Sequence, residues 1–482
     1  MKRLRLCLLL TLVLAAIASG QVHKVRDNPE FTAQRKLLEK WISAQMEFRQ
    51  QPGLAIAVVY DQELIWSKGF GYADIAKKTP MTPQTIFRIA SITKTFTSTA
   101  IMQLRDRGTL ALDDPVVKYL PWFTYKNRFP EGPAVTIRQL LTHTSGLPGE
   151  AGMPYWTDHK FPTHDELVAL LHSQENVFEP ETKFRYSNLG MAILGEVVAA
   201  ASGQTYEAYV TQNILQPLGL GSTSVTPVPD RLSRHMTGYS RRMADGTRTI
   251  YPLMDAKAIT PAANISSTVE DLGRWASFHM LEGKNTPGQI LKGSSLREMH
   301  RVQWLQPSWH SGWGLGFSVA KSDERVTYGH GGFVGGNKSQ LLISPKEKVA
   351  VIIAINADDG VPAFYAGRAM SMLAPVIARL MAPTKPEVKS DSAWQKYVGA
   401  YTDPFGWESD VMVVNNKLVL YNYGYPPEDN PAEALDELVP DGNNTFRMSG
   451  ENGSGGLVVF EMGADGTVAR VKVEENFIYP QK

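Results

Sequence analysis

The 482-residue chain has almost no cysteine: Cys7 is the only one. It lies in an apolar stretch close to the amino terminus, so a chain processed after that stretch has none. Disulfides, thiolate metal sites and cysteine nucleophiles are excluded. Charge of one sign is lacking too. The chain has 49 Lys and Arg against 48 Asp and Glu, a formal net charge of +1. That balance carries no electrostatic footprint for nucleic acid. There is no H-E-x-x-H, and no two of the ten histidines stand at i,i+4 as a helical zinc pair would. There is no G-x-x-x-x-G-K-[ST] phosphate loop. No metal or cofactor is expected. The G-x-S-x-G elbow is missing as well, which disfavours an α/β-hydrolase triad. Finally, no apolar run has comfortable membrane-spanning length. "LCLLLTLVLAAIA", preceded by Lys2, Arg3 and Arg5 and followed by "ASGQ", reads as a secretory signal peptide over residues 1–20. The expectation is a secreted or periplasmic protein without stable membrane insertion after cleavage. The alternative is an uncleaved N-terminal anchor.

What is present is a large apolar fraction, 43% of residues, enough for a sizeable core. Residues 53–74 read as two β-branched strands about a turn at Asp61-Gln62. "SITKTFTSTAIMQLRDRG" begins at Ser91, stops at Gly108 and has no strongly charged face, so it predicts a helix buried on most sides. Further helices are predicted at 136–146, 163–173, 189–203 and 267–283. Strands are predicted at 312–320, 335–345 and 348–356, followed by a helix at 363–380. Strands flanking a helix-rich middle predict an α/β (α+β) fold: one antiparallel sheet flanked by helices, with a helical subdomain, over residues 21–380. Residues 381–392 hold two prolines and mixed charge and read as a linker. From 393 to 482 the pattern is strand only. Hairpins are predicted about Asn415-Asn416 and Asp465-Gly466, making a small all-β barrel or sandwich.

The chemistry gathers at three places. Ser91 and Lys94 stand three residues apart, on one face of the predicted helix. The hydroxyl sits at the helix start, where free N–H groups favour negative charge. A lysine buried one turn later would lose basicity and could take the serine proton. Spacing alone is weak evidence, since Ser318 and Lys321 match it too. That pair lies in a predicted strand, where an offset of three points side chains to opposite faces. Tyr186 and Asn188 form a Tyr-x-Asn at a helix entrance; Tyr125 and Asn127 repeat it in a predicted loop. Third comes "YGHGGFVGG", residues 328–336, with His330, Gly331 and Gly332. His330 lies between predicted strands, which argues against a phosphate loop. Its possible readings are a wall of the serine site or a plain core histidine.

Ser91-x-x-Lys94, Tyr186-x-Asn188 and His330-Gly331-Gly332, in that order, resemble the signature of the penicillin-recognising serine hydrolases. These comprise class C β-lactamases, DD-peptidases, D-aminopeptidases and related esterases. "FRIASITKTFT", "LLTHTSGLP", "YSNLGMAILGEVV" and "ILQPLGLGSTS" add to the resemblance, which spans about residues 53–380. The β-rich tail is similar to the lipocalin-like C-terminal domains of some peptidase-like members. The resemblance implies an acyl-enzyme at Ser91, Lys94 as base or proton relay, and Tyr186 as shuttle to the leaving group. Asn188 would bind a substrate amide or Lys94. Backbone N–H groups of Ser91 and Phe333 would form the oxyanion hole. The departure is His330-Gly331-Gly332, where lactamases usually carry Lys-Thr/Ser-Gly. A histidine and a hydrogen weaken a site built for the penicillin carboxylate. The expected activity is therefore hydrolysis of a peptide, amide or ester, with D-amino-acid peptides or peptidoglycan fragments as substrates. The alternatives are a β-lactamase and a non-catalytic penicillin-binding-like sensor. The partner is a small-molecule or peptide substrate; oligomeric state is left open.

Overall fold

The computed structural model describes residues 25–286, 288–322, 325–382, 391–414, 416–422, 435–449 and 454–481. The predicted signal peptide and most of the predicted linker lie outside them. The chain forms two compact units, one ending at Met381 and one running from Ala382 to Lys482.

The first unit is built on a nine-stranded sheet. Its strands are β1 (Gly53–Tyr60), β2 (Glu63–Asp74), β3 (Thr79–Pro80), β6 (Trp304–Leu305), β7 (Ser311–Trp313), β8 (Ser318–Ser322), β9 (Arg325–Val334), β10 (Asn337–Ser344) and β11 (Val349–Ile355). Their order is β3-β2-β1-β11-β10-β9-β8-β7-β6, antiparallel throughout. The two-residue strands β4 (Phe87–Arg88) and β5 (Ser266–Ser267) pair separately.

The centre of the sheet is buried on both faces because β1 and β11 are apolar at every position but Tyr60. Period-two alternation sorts them. Leu54, Ile56, Val58, Val351 and Ile353 face α1 (Pro29–Phe48) and the C-terminal helix Pro362–Met381. Ala55, Ala57 and Val59 face the larger core on the other side. That core holds α2 (Thr93–Asp106), α3 (Ile137–Leu141), α4 (His164–Ser173), α5 (Asn188–Ser202) and α6 (Val269–His279). The C-terminal helix is α7. The predicted hydrophobic patterns at 163–173, 189–203 and 363–380 correspond to α4, α5 and α7.

Three expectations need correction, and one helix is additional. The predicted 136–146 helix is only α3: after its Thr136/Gln139 capping box it unwinds, and His143 takes a positive φ of 58°. The predicted 312–320 strand is two strands, because Gly316 turns the chain at φ 79° between β7 and β8. The His330 segment is not a connection between strands; it is part of β9, which agrees with reading His330-Gly331-Gly332 as a late strand edge. Helix α1, not anticipated, is set by its Asn28 cap and Pro29.

The second unit is a closed barrel of eight strands, β12 (Gly399–Thr402), β13 (Glu408–Val414), β14 (Lys417–Asn422), β15 (Leu435–Gly442), β16 (Thr445–Ser449), β17 (Leu457–Met462), β18 (Val468–Val473) and β19 (Asn476–Pro480). Neighbours in sequence are neighbours in space, and β12 closes on β19. Tyr397, Tyr401, Phe446 and Phe460 fill the interior, with the Tyr397 and Phe460 rings 4.4 Å apart. Among the described residues it is a packed core.

Candidate active site

Ser91 sits on a 3-10 turn, Ala90–Ile92, directly ahead of α2. Burial of Phe87, Ile89, Ile92 and Phe96 anchors this turn while Ser91 itself stays half-exposed. Ala90 holds φ at 49°, a left-handed value unusual for a residue with a Cβ.

Lys94 lies one turn on and is fully buried. Its Nζ is 3.1 Å from Ser91 Oγ, 2.7 Å from Asn188 Oδ1 and 2.9 Å from the Ala262 carbonyl. The last two atoms can only accept. A neutral amine therefore gives its two N–H groups to them and turns its lone pair toward Ser91. Desolvation brings Lys94 down to about 7, with the Glu150 carboxylate opposing the shift. The neutral amine is thus within reach near neutral pH.

Tyr186 and Asn188 enter α5 on either side of its cap. Ser187 Oγ accepts from Gly190 N–H at 2.8 Å and donates to the Pro148 carbonyl at 2.6 Å. The Ser187 N–H donates to His143 Nδ1 at 3.2 Å. This triple anchorage fixes the Tyr186 ring, whose centre lies 4.8 Å from Lys94 Nζ and 4.5 Å from the His143 ring. Burial pushes the Tyr186 phenol well up, and its hydrogen bond with Ser91 only partly opposes this. The phenol stays protonated where Lys94 titrates. Of the two groups on Ser91, Lys94 is thus able to accept a proton and Tyr186 to donate one.

Glu150 was not anticipated. Asn188 Nδ2 donates to Glu150 Oε1 at 2.7 Å, which orients the amide so that Oδ1 meets Lys94. Tyr155 O–H holds the other carboxylate oxygen. The signal lay in "HTSGLPGE", a loop that runs beside the Tyr-x-Asn element. His143, from the same stretch, was also missed; it is buried, and desolvation lowers it far below the ordinary histidine value.

Strand β9 forms the third wall. Its partner β8 pairs only as far as Gly329, so residues 330–334 have one free edge. Val334 and Asn337 flank a two-residue turn, Gly335-Gly336, whose φ values of 42° and 72° fit a type I′ hairpin. The flanking pair is hydrogen-bonded, so the N–H of the next residue, Phe333, faces away from β10 toward the free edge. Gly332 is where β9 meets the Ser91 turn: a Cβ there would stand 2.2 Å from the Ile89 carbonyl oxygen. Gly331 is exposed. His330 is buried, and its Nδ1 donates to the Gly331 carbonyl at 2.5 Å. Desolvation first, then Lys94, depress it to about 3. It is a neutral ring, with Nε2 buried and unpartnered.

Ser91, Tyr186, Asn188, His330, Gly331, Gly332 and Phe333 thus line one cavity of about 970 Å³, with Lys94 beneath it. Trp156, Trp313, Tyr251 and Phe364 give it aromatic sides. Its one lysine, Lys338, is bonded to the Gly360 carbonyl at 3.1 Å. Of the two sequence controls, Ser318 reaches this cavity but donates to the Gly329 carbonyl, while Lys321 is exposed. Tyr125 and Asn127 do not reach it. Among the described residues no cluster suited to a metal occurs, and no helix is long and apolar enough to cross a membrane.

Known proteins are similar to this chain in sequence or in fold. The chain is 27% identical over 488 residues to Beta-lactamase-like protein 2 of Dictyostelium discoideum, covering 91% of this chain and 87% of that one. It is 27% identical over 327 residues to Protein flp of Staphylococcus aureus (strain N315), covering 66% of this chain but only 62% of flp. Among solved structures, the octameric penicillin-binding protein homologue from Pyrococcus abyssi superposes with a TM-score of 0.63 at 26% identity, over 92% of this chain and 99% of that one. A D-stereospecific amidohydrolase from Streptomyces sp. has the same fold, with a TM-score of 0.57 at 24% identity over 69% and 97%. The Beta-lactamase family profile matches residues 38–372, and the chain belongs to that family.

Proposed function

We propose that this protein is an exported serine hydrolase that cleaves a peptide, amide or ester through an acyl-enzyme at Ser91. The observation that carries the reading is the buried Lys94 amine, fixed by two acceptors with its Nζ 3.1 Å from Ser91 Oγ. Lys94 takes the Ser91 proton as Oγ bonds to the substrate carbonyl carbon. The carbonyl oxygen becomes an oxyanion held by the Ser91 and Phe333 N–H groups. Tyr186 passes a proton to the leaving amine or alcohol, and the bond to it breaks. Water then attacks the Ser91 ester, releases the acid and returns the proton to the serine.

His330 bears on substrate choice. A neutral imidazole at this position suits an uncharged acyl chain better than the β-lactam carboxylate. Membership of the Beta-lactamase family favours the second reading, β-lactam hydrolysis. A panel of p-nitrophenyl esters, D- and L-amino-acid anilides and nitrocefin separates the two. The wild type should prefer esters or anilides, and His330→Lys should move preference toward nitrocefin. Rapid wild-type nitrocefin turnover with a low KM would contradict this account of His330.

A further inference from the structure

A second cavity, of about 800 Å³, adjoins the catalytic one, and Tyr251, Met254, Val334 and Gly335 line both. The charged groups on its wall are Arg88, Arg234, Lys77 and Asp74, with His235 beside them. Asp74 is already engaged, 3.3 Å from Lys77 Nζ and accepting from Thr237 Oγ1 at 3.1 Å. Arg234 is exposed, and its Nη2 meets only neutral acceptors, the Gln84 carbonyl at 3.0 Å and Ser222 Oγ at 3.1 Å.

Arg88 is the unusual member. It is 2% exposed, and among the described residues no carboxylate lies within ion-pair distance of it. Its partners are the Met254 carbonyl, Asn264 Oδ1 at 2.7 Å and the Ala263 carbonyl at 3.3 Å, all neutral. Its Nε is buried with no partner. Asp255 acts on it only through space and spends Oδ1 on Asn264 Nδ2 at 3.2 Å. Burial lowers the guanidinium only to about 10, so it remains a cation at neutral pH.

A purely structural Arg88 would pin the 254–264 segment, whose Ala262 carbonyl holds Lys94. That accounts for its Nη groups. It leaves an orphaned Nε–H and a buried charge offset only through space by Asp255, both of which are costly. We propose that this second cavity is an anion-binding site that takes the carboxylate or phosphate group of a small molecule against Arg88 and Arg234. Guanidinium groups suit such planar or tetrahedral anions because their N–H donors are preorganised.

The test is thermal. The full chain is titrated with inorganic phosphate, and separately with succinate, at ionic strength held constant with chloride. Saturable rises in Tm are expected, with apparent affinity about tenfold weaker in Arg234→Ser, a substitution at an exposed position. Arg88→Lys, which keeps the charge but loses the fork, should weaken binding as well. Equal saturation in wild type and Arg234→Ser, or a linear rise shared by both, would overturn the proposal. A second arm identifies the source of the anion, using a p-nitrophenyl ester with a terminal carboxylate and its neutral analogue. If the anion is the substrate's own, the charged ester gains in kcat/KM, and phosphate raises its KM alone. If it is a free ligand, the two esters behave alike and phosphate alters kcat. The thermal arm does not depend on the hydrolase reading.

Discussion

Lys94 and the serine beside it set the chemistry at the scale of single residues. The base must be neutral to act, and desolvation places its transition at about 7. We therefore expect kcat/KM to rise with pH through about 7 and then level off. Neither His330, held at about 3, nor Tyr186, raised by burial, adds a limb in that range. Glu150 opposes the Lys94 shift, so Glu150→Gln should move the rising limb to lower pH while leaving an acceptor for Asn188. A limb that stays in place, or moves up, would contradict that assignment. The same burial carries a stability consequence. Below pH 7 both folded and unfolded states hold the Lys94 proton, and the full desolvation penalty is present. It is relieved as pH rises toward the unfolded value of 10.5, so this group makes stability increase across that window.

At the scale of elements, the contact between β9 and the Ser91 turn is the sensitive joint. Gly332→Ala would drive a methyl into the Ile89 carbonyl and Ser339 Oγ, at 2.2 and 2.4 Å. One of these is backbone, so the strand must move. We expect acylation to fall about 100-fold or more, because displacing an oxyanion donor has that order of effect. Stopped-flow acylation with a p-nitrophenyl ester measures it; an unchanged rate would mean that β9 does not hold the oxyanion.

Elements also show why some features were legible and others not. Helices α5 and α7 announced themselves by long apolar periodicity and, for α5, a terminal glycine at φ 68°. Ser91 with Lys94, and Tyr186 with Asn188, could be picked out as local pairs at helix starts; the family resemblance implied that the two pairs, 94 residues apart, form one site. Strand β9 was obscured because glycines break strand propensity, and only pairing to β10 makes it a strand. Arg88 could not be read at all, and Glu150 offered only its place in the "HTSGLPGE" stretch. Their roles come from contacts across 38 and 176 residues of sequence, with no local pattern.

At the scale of the whole molecule, the two units have separate cores. The barrel's core is small and aromatic, centred on Phe460, which is 2% exposed and touches Tyr397 and Phe446. Phe460→Ala should cost about 3–5 kcal/mol of barrel stability. Denaturant unfolding followed by fluorescence should show a lowered barrel transition and an unmoved transition for the unit ending at Met381. A shift in both would mean that the two cores are one cooperative system. The barrel was legible as a class, from turn signals between short strands. Its packed interior was not, since pattern alone does not distinguish a filled barrel from a hollow one.

The central claim is that Ser91 is a nucleophile activated by Lys94. Its most direct test is to incubate the full chain with a fluorophosphonate probe, digest it and locate the adduct by mass spectrometry. The account predicts one adduct on Ser91 in the wild type and none in Ser91→Ala; equal labelling of both proteins would contradict it.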